Sequence, residues 1–296
     1  MRILLTGATG FLGQALLAAA PPEFAFVTLG RRPAPVARLD LVHIEADMGV
    51  PASLQSALES GRIAPPLDIV MHLAVSRFHR GFPDTALDMF NVNVASTATL
   101  LDFARRAGVR QFILGSTGTV YHPFENPICR EDDALDPQSY FAFSKLAAER
   151  FALTYSPAHF GVFVPRFFTP YGPGQQDRLV SGLIDNVTAG RPVRLPPQGN
   201  GLSTAPLYLD DAVRVLLEAV AAGWQGVVNI AGPQVLTLAE MVHIVGRVVE
   251  REPVIERAPG ALDAALVPDL ERLSRYMSLD TFVTFQDGLA RFVTRQ

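Results

Sequence analysis

The residues with the clearest chemical capability stand at the start of the chain. Thr6-Gly7-Ala8-Thr9-Gly10-Phe11-Leu12-Gly13 follows a short apolar run, Ile3–Leu5, and opens an Ala/Leu-rich segment. Its glycines recur at a spacing of three and three. The first permits a tight turn, the second lets the main chain approach a pyrophosphate, and the third lets a helix pack closely on the preceding strand. The N–H groups and dipole of that helix then face the anion. Gly7, Gly10 and Gly13 are therefore expected to hold the diphosphate of a nicotinamide dinucleotide. The single cysteine, Cys129, excludes an internal disulfide and reads as an ordinary thiol. No metal site is expected.

Spacing three and three, rather than two and three, resembles the short-chain dehydrogenase/reductase family. The chain is similar over almost its whole length to the extended branch, the NAD(P)-dependent epimerases and dehydratases that mostly act on nucleotide sugars. Asp68-Ile69-Val70-Met71-His72-Leu73-Ala74 is similar to the family's strand-four end, and Asn93 in Asn93-Val94-Ala95-Ser96-Thr97 to its helix asparagine. Ser116-Thr117-Gly118-Thr119-Val120-Tyr121 resembles the strand-five motif, where the offset from Tyr121 makes Thr117 the catalytic hydroxyl. Ser144-Lys145 resembles the Ser-Lys of the Tyr-x-x-x-Lys motif. Arg166–Pro173 resembles the loop entering the substrate lobe, and Tyr208-Leu209-Asp210-Asp211 the late Val-Asp-Asp helix start. The resemblance implies a cofactor set of Gly7, Thr9, Gly10, Phe11, Leu12, Gly13, Arg31, Arg32, Asp47, Met48, Leu73, Ala74, Asn93, Lys145 and Pro165, with Asp47 at the adenine amino group.

An acid at the end of the second strand would bind the adenosine ribose diol and repel a 2′-phosphate. Here Thr28-Leu29-Gly30-Arg31-Arg32 puts Gly30 near that position and two arginines after it. Arginine suits phosphate, so NADP is expected, with NAD as the alternative.

The family mechanism needs a tyrosine acid/base whose pKa is lowered by the lysine and by the cofactor's charge. Four residues before Lys145 stands Phe141, which has no proton to exchange. On a helix, four residues return to within about 40° of the same face, whereas five overshoot to about 140°. Tyr140 is nevertheless the nearest stand-in, beside Tyr121, His72, His79 and His122, so the expected catalytic set is Thr117, Lys145 and Tyr140. Thr169 replaces the Asn of the Arg-x-x-Asn-x-Tyr-Gly-Pro loop, and Gly199–Pro206 lacks the arginine that similar proteins use to grip a nucleotide diphosphate. Arg178 and Arg194 are candidate replacements. The resemblance implies an epimerase/dehydratase-like oxidoreductase acting on a sugar, nucleotide-linked or otherwise, or on a related hydroxyl or carbonyl compound. The alternatives are an NADP-dependent carbonyl reductase and a catalytically degenerate NAD(P)-binding protein that serves as a redox sensor or partner subunit.

These residues need a rigid scaffold. Apolar runs at Ile3–Leu5, Phe24–Leu29, Leu41–Ile44, Ile69–Leu73, Gln111–Leu114 and Val162–Val164 read as strands. They alternate with helical segments at Phe11–Ala20, Pro51–Leu58, Thr85–Ala107 and Ser139–Tyr155. That alternation predicts an α/β protein, a doubly wound parallel Rossmann sheet with a smaller C-terminal α/β substrate lobe. Residues 1–165 are expected to bind NAD(P). Residues 166–296 would form the lobe, partly interleaved with the sheet over about 205–232. In this half Pro165–Gly174 and Arg191–Thr204 read as loops, Asp210–Ala222, Leu236–Glu250 and Leu279–Arg295 as helices, and Val227–Ile230 as a strand. A length of 296 residues, a net charge of -4 and a pI near 5.9 fit a globular protein that binds a small molecule, and exclude a basic nucleic-acid footprint. No membrane span and no signal peptide are visible, so a cytoplasmic location is expected. Homodimerisation through Thr85–Ala107 and Ser139–Tyr155 is expected by resemblance.

Overall fold

Short β-branched and leucine-rich runs, buried on both faces, build the centre of the protein. The structure is a computed structural model that describes residues 1–78, 81–122, 128–261 and 263–294. Six parallel strands lie in the order β3-β2-β1-β4-β5-β6, namely Leu41–Glu45, Ala25–Gly30, Arg2–Thr6, Ile69–His72, Gln111–Leu114 and Gly161–Phe167. Gly226–Ile230 (β7) adds a further strand beside β6, and the two-residue strand Ser116–Thr117 also pairs with β6. Strand order reverses between β1 and β4. In a doubly wound sheet that reversal opens a crevice at the carboxyl ends of the strands, where ligands bind. Leu4, Val27, Val70, Phe112, Val162 and Val164 form the core beneath it.

The α-helices before β6 are α1 Phe11–Ala19, α2 Pro51–Glu59, α3 Ala86–Phe90, α4 Ser96–Ala107 and α5 Tyr140–Leu153, and Leu209–Ala222 forms the helix before β7. Ser139 caps α5 by accepting from the Ala142 N–H, and Gly108 closes α4 at φ 66°. The continuous helix expected over Thr85–Ala107 is interrupted by a π turn at Asn91–Ala95. The turn adds a residue to one coil and re-aims Asn93, a device common at functional sites.

The chain divides into two compact units. The first comprises Met1–Val120, Pro137–Arg166 and Val213–Val228, and the second Tyr121–Asp136, Phe167–Ala212 and Asn229–Gln296. The second unit is more ordered than its proline and glycine content suggested. Arg191–Thr204, expected as loop, holds strands Val193–Leu195 and Leu202–Thr204, which pair in parallel with Ile255–Arg257 and Ala264–Pro268. A helix at Leu179–Ala189 was not foreseen. The C-terminal helix is Phe285–Thr294, shorter than the expected Leu279–Arg295, because a separate 3-10 turn occupies Leu279–Thr281. The helix expected over Leu236–Glu250 spans Leu238–Val248, with Thr237 and Glu240 in a capping box.

Candidate dinucleotide-binding and active site

The glycine turn lies at the β1/β4 reversal, packed against Leu73 and Ala74. Gly7 adopts φ +75°, and a Cβ there would lie 2.6 Å from the Ala74 nitrogen and 2.6 Å from the Leu73 carbonyl carbon. A Cβ on Gly13 would lie 2.2 Å from the Gly7 oxygen. Both contacts are with main chain, so neither side chain could be accommodated by a rotamer change. The turn is locked by the Gly10 N–H donating to the Gly7 carbonyl at 2.9 Å. Gly10 is the N-cap of α1, with no side-chain cap and no acid in the first turn. The N-terminal amides of α1 thus present partial positive charge that no protein carboxylate in that turn neutralises. Thr9 and Gly10 are exposed, and Phe11 and Leu12 half-buried, at the lip of the turn.

Behind the turn, buried polar groups fix its position. The Ser96 hydroxyl donates to the Val92 carbonyl at 2.6 Å and therefore accepts from His72 Nε2 at 3.1 Å. His72 Nδ1 is then the acceptor for the Thr6 hydroxyl at 2.6 Å, and Thr6 Oγ1 in turn accepts the Ala74 N–H at 3.2 Å. One tautomer of a neutral imidazole satisfies the whole chain of bonds. Burial, reinforced by the Lys145 charge, holds His72 down to about 3, so it stays neutral. His72 is a structural clamp on the Gly7–Ala74 approach.

Asn93, expected at the cofactor, is fully buried and occupied by protein partners. Its Oδ1 accepts the Ser76 N–H at 3.0 Å and its Nδ2 donates to Ser144 Oγ at 2.9 Å. Ser144 donates onward to the Phe141 carbonyl at 2.7 Å. The π turn thus ties the loop after β4 to the first turn of α5.

On α5, Phe141, Lys145 and Glu149 follow one another at four-residue intervals along a single strip. Lys145 is 4% exposed, and burial lowers its pKa to about 8 while the Glu149 charge pulls the other way. The Glu149 carboxylate accepts from Arg166 Nη2 at 2.7 Å and Arg166 Nε at 3.1 Å, and also from the Ser116 hydroxyl. Neither the Glu149 nor the Arg166 requirement was evident from the sequence beforehand; the four-residue step from Lys145 to Glu149 was the available signal. With Ser116 turned to Glu149, its neighbour Thr117 is the half-buried hydroxyl, within 3.1 Å of Thr119 Oγ1.

The stand-in proton carriers are placed elsewhere. Tyr140 is the first residue of α5 and stacks on Phe82 with centroids 5.2 Å apart. Since α5 starts at Tyr140 without distortion, Tyr140 lies on a different face from Lys145. Tyr121 is buried in the second unit and donates to Asn229 Oδ1 at 2.9 Å. His122 is 3.9 Å from Asp136. His79 lies outside the described residues. Among the described residues no group of three His, Cys, Asp or Glu side chains is placed to hold a metal.

Arg31 and Arg32 are exposed just after β2. Arg38, which sequence inspection passed over, is a clamp: it pairs with Asp40 at 2.6 Å and donates to the carbonyls of Leu17, Ala20, Pro21 and Phe24. Asp47 accepts the Gly49 N–H at 2.9 Å, Met48 is buried, and Pro165 is buried within β6. In the second unit Arg194 pairs with Glu256 at 3.4 Å on the surface, and Arg178 is the N-cap of helix Leu179–Ala189. Thr169 holds φ 39°, and its hydroxyl is 3.0 Å from that of Thr204.

Comparison with known proteins shows what shares this arrangement. The sequence model of the NAD dependent epimerase/dehydratase family matches residues 3–231. A dTDP-glucose 4,6-dehydratase of Streptomyces griseus is 32% identical over 241 residues, which span 78% of this chain and 72% of that protein. A 3-diazoavenalumate denitrifying reductase of a Streptomyces species is 30% identical over 300 residues, covering 98% of this chain and 91% of the reductase. The structure of MoeE5 in complex with UDP-glucuronic acid and NAD superposes with a TM-score of 0.82 at 26% identity, covering 99% of this chain and 98% of the other.

Proposed function

This chain belongs to the NAD dependent epimerase/dehydratase family, of the extended short-chain dehydrogenase/reductase type, and on that premise we propose that it is an oxidoreductase moving a hydride between a nicotinamide dinucleotide and a hydroxyl or carbonyl carbon of a small substrate. The observation that carries the proposal is the closeness of Gly7 to Leu73 and Ala74, beside the uncapped N-terminus of α1. A side chain at Gly7 or Gly13 would destroy that cradle, and a diphosphate is what such a cradle takes. The residues fit the group: helix amides for the diphosphate, Asp47 and Met48 for the adenine end, Leu73 and Ala74 over the turn, Lys145 for the nicotinamide ribose, Pro165 beside it, and Thr117 for the substrate oxygen. When bound, the dinucleotide supplies the hydride.

NADP is the favoured form, because two exposed arginines follow β2 and no acid stands at its end. The structural relative named with NAD makes NAD the alternative. A sugar substrate follows the dehydratase relative. The reductase relative, which matches this chain over nearly its whole length, and the lack of an arginine in Gly199–Pro206 favour a carbonyl reductase acting on a substrate without a nucleotide. We assign the dinucleotide to the first compact unit and the substrate lobe to the second. Leu87, Phe90, Phe143 and Phe151 are exposed apolar side chains on α3 and α5 and would be covered in a homodimer.

Dissociation constants for reduced NADP and reduced NAD, read by nicotinamide fluorescence, test the assignment. NADP is expected to bind at least about 10-fold more tightly, equivalent to roughly 1.4 kcal/mol. Tighter NAD binding refutes the NADP preference, and failure of both to bind refutes the function.

A further inference from the structure

We infer that Lys145 is itself the proton carrier of this site, giving a proton to the oxygen of a carbonyl substrate as its carbon is reduced and recovering one when the alcohol is oxidised. The inference rests on the oxidoreductase function proposed above and adds to Lys145 a task beyond holding the cofactor ribose.

The composition makes the position of this residue informative. The chain contains 25 Lys and Arg residues together, and Lys145 is the only lysine. The other 24 of these residues are arginines, which stay protonated at any physiological pH and cannot exchange a proton there. This one side-chain amine lies close enough to His72, behind the glycine turn, to reinforce the burial that holds that imidazole's pKa down.

Among the described residues, its surroundings leave that amine as the group able to act. On the strip of α5, Phe141 carries no proton and the Glu149 carboxylate is consumed by Arg166 and Ser116. Tyr140 is stacked on Phe82 on another face, Tyr121 donates to Asn229, and both nitrogens of His72 are engaged by Thr6 and Ser96. Among the described residues, the charged and titratable groups around Lys145 are Glu149 on its own helix, neutralised by Arg166 of β6, and a neutral His72 from β4. Burial without a dedicated ion pair brings the amine down to about 8, where it both holds and releases a proton near neutral pH.

The step balances. When a hydride reaches the carbonyl carbon, the C=O π bond breaks and its electron pair moves to oxygen. An N–H bond of Lys145 breaks as the O–H bond forms, and the neutral amine regains a proton from solvent. Each turnover consumes one reduced dinucleotide and one proton per carbonyl reduced.

Being unique, Lys145 gives a single signal in full-length protein labelled with 13Cε-lysine. Its titration midpoint is expected near 8. A midpoint above about 10, the ordinary lysine range, overturns the inference. In parallel, reduced NADP binding and 4-nitrobenzaldehyde reduction are measured for wild type, Lys145→Arg and Phe141→Tyr. Lys145→Arg is expected to bind the dinucleotide more weakly, through the altered ribose contact, and to lose about 100-fold or more in turnover at saturating dinucleotide. Wild-type reduction is expected to be constant below the midpoint and to fall above it, because only the ammonium form donates. Phe141→Tyr is expected to shift that limb, since a phenol then carries the proton. Lys145→Arg turnover within about 10-fold of wild type, an alkaline limb unchanged by both substitutions, or an alkaline limb abolished by His79→Ala would each overturn the proposal. Loss of dinucleotide binding by wild-type protein would instead sink the underlying function.

Discussion

Replacement of Glu149 by glutamine removes one charge from the most deeply buried ion pair among the described residues of the first unit. The Glu149 and Arg166 side chains are 1% and 3% exposed, and the guanidinium reaches both carboxylate oxygens, at 2.7 Å and 3.1 Å. Glutamine keeps the shape but removes the carboxylate charge that faces the buried Arg166 guanidinium and presents an amide donor towards donors. Breaking such a pair from one side costs about 3–5 kcal/mol. For a chain of this length each kcal/mol lowers the midpoint by about 2 °C, so Glu149→Gln should melt roughly 6–10 °C below wild type. Trp224 is the single tryptophan, packs edge-on against Phe163 of β6 at 5.7 Å, and reports unfolding of this unit by fluorescence in urea. The paired replacement Glu149→Leu with Arg166→Met removes both charges, and should recover most of the loss, since an apolar pair of similar volume is near neutral in a buried site. Removing the Glu149 charge should also move the Lys145 titration below about 8, because that charge pulls its pKa upward. A Glu149→Gln variant within about 1 kcal/mol of wild type, or a double variant as unstable as the single, would refute the view that the pair is a mutually dependent unit.

Two further substitutions probe the cradle and the second unit. Gly7→Ala forces a side chain to φ +75°, at about 1–2 kcal/mol, and also drives a Cβ into main chain of the strand-four loop. Dinucleotide binding should fall by at least about 100-fold with a lower melting point, and unchanged fluorescence titration would contradict the geometry. Thr169→Asn places a residue that tolerates the left-handed region where a β-branched one now stands at φ 39°. Urea denaturation should show a gain of about 0.5–1 kcal/mol, and a loss would mean that the Thr169–Thr204 hydroxyl contact outweighs the backbone strain.

Local sequence was sufficient wherever the controlling interactions are close in the chain. Gly7, Gly10 and Gly13 defined the turn because their constraint is steric and lies within one strand-turn-helix unit. The strand runs were legible because burial on both faces demands unbroken apolar residues. Phe141 and Tyr140 could be assigned to different faces from the helical period alone, and the structure places them so. Tertiary structure decided what depended on partners distant in sequence. The Asn93 side chain is spent on Ser76 and Ser144, and the π turn that aims it exists to make those bonds. Which charge Glu149 answers, and hence why Lys145 stays an uncompensated amine, depends on Arg166 arriving from β6. The small strands of the second unit are two or three residues long, and only their pairing with segments such as Ile255–Arg257 and Ala264–Pro268 distinguishes them from loop. A side chain's chemistry is written in the sequence, but its protonation, its partner and its freedom to act are set by what the folded chain packs against it.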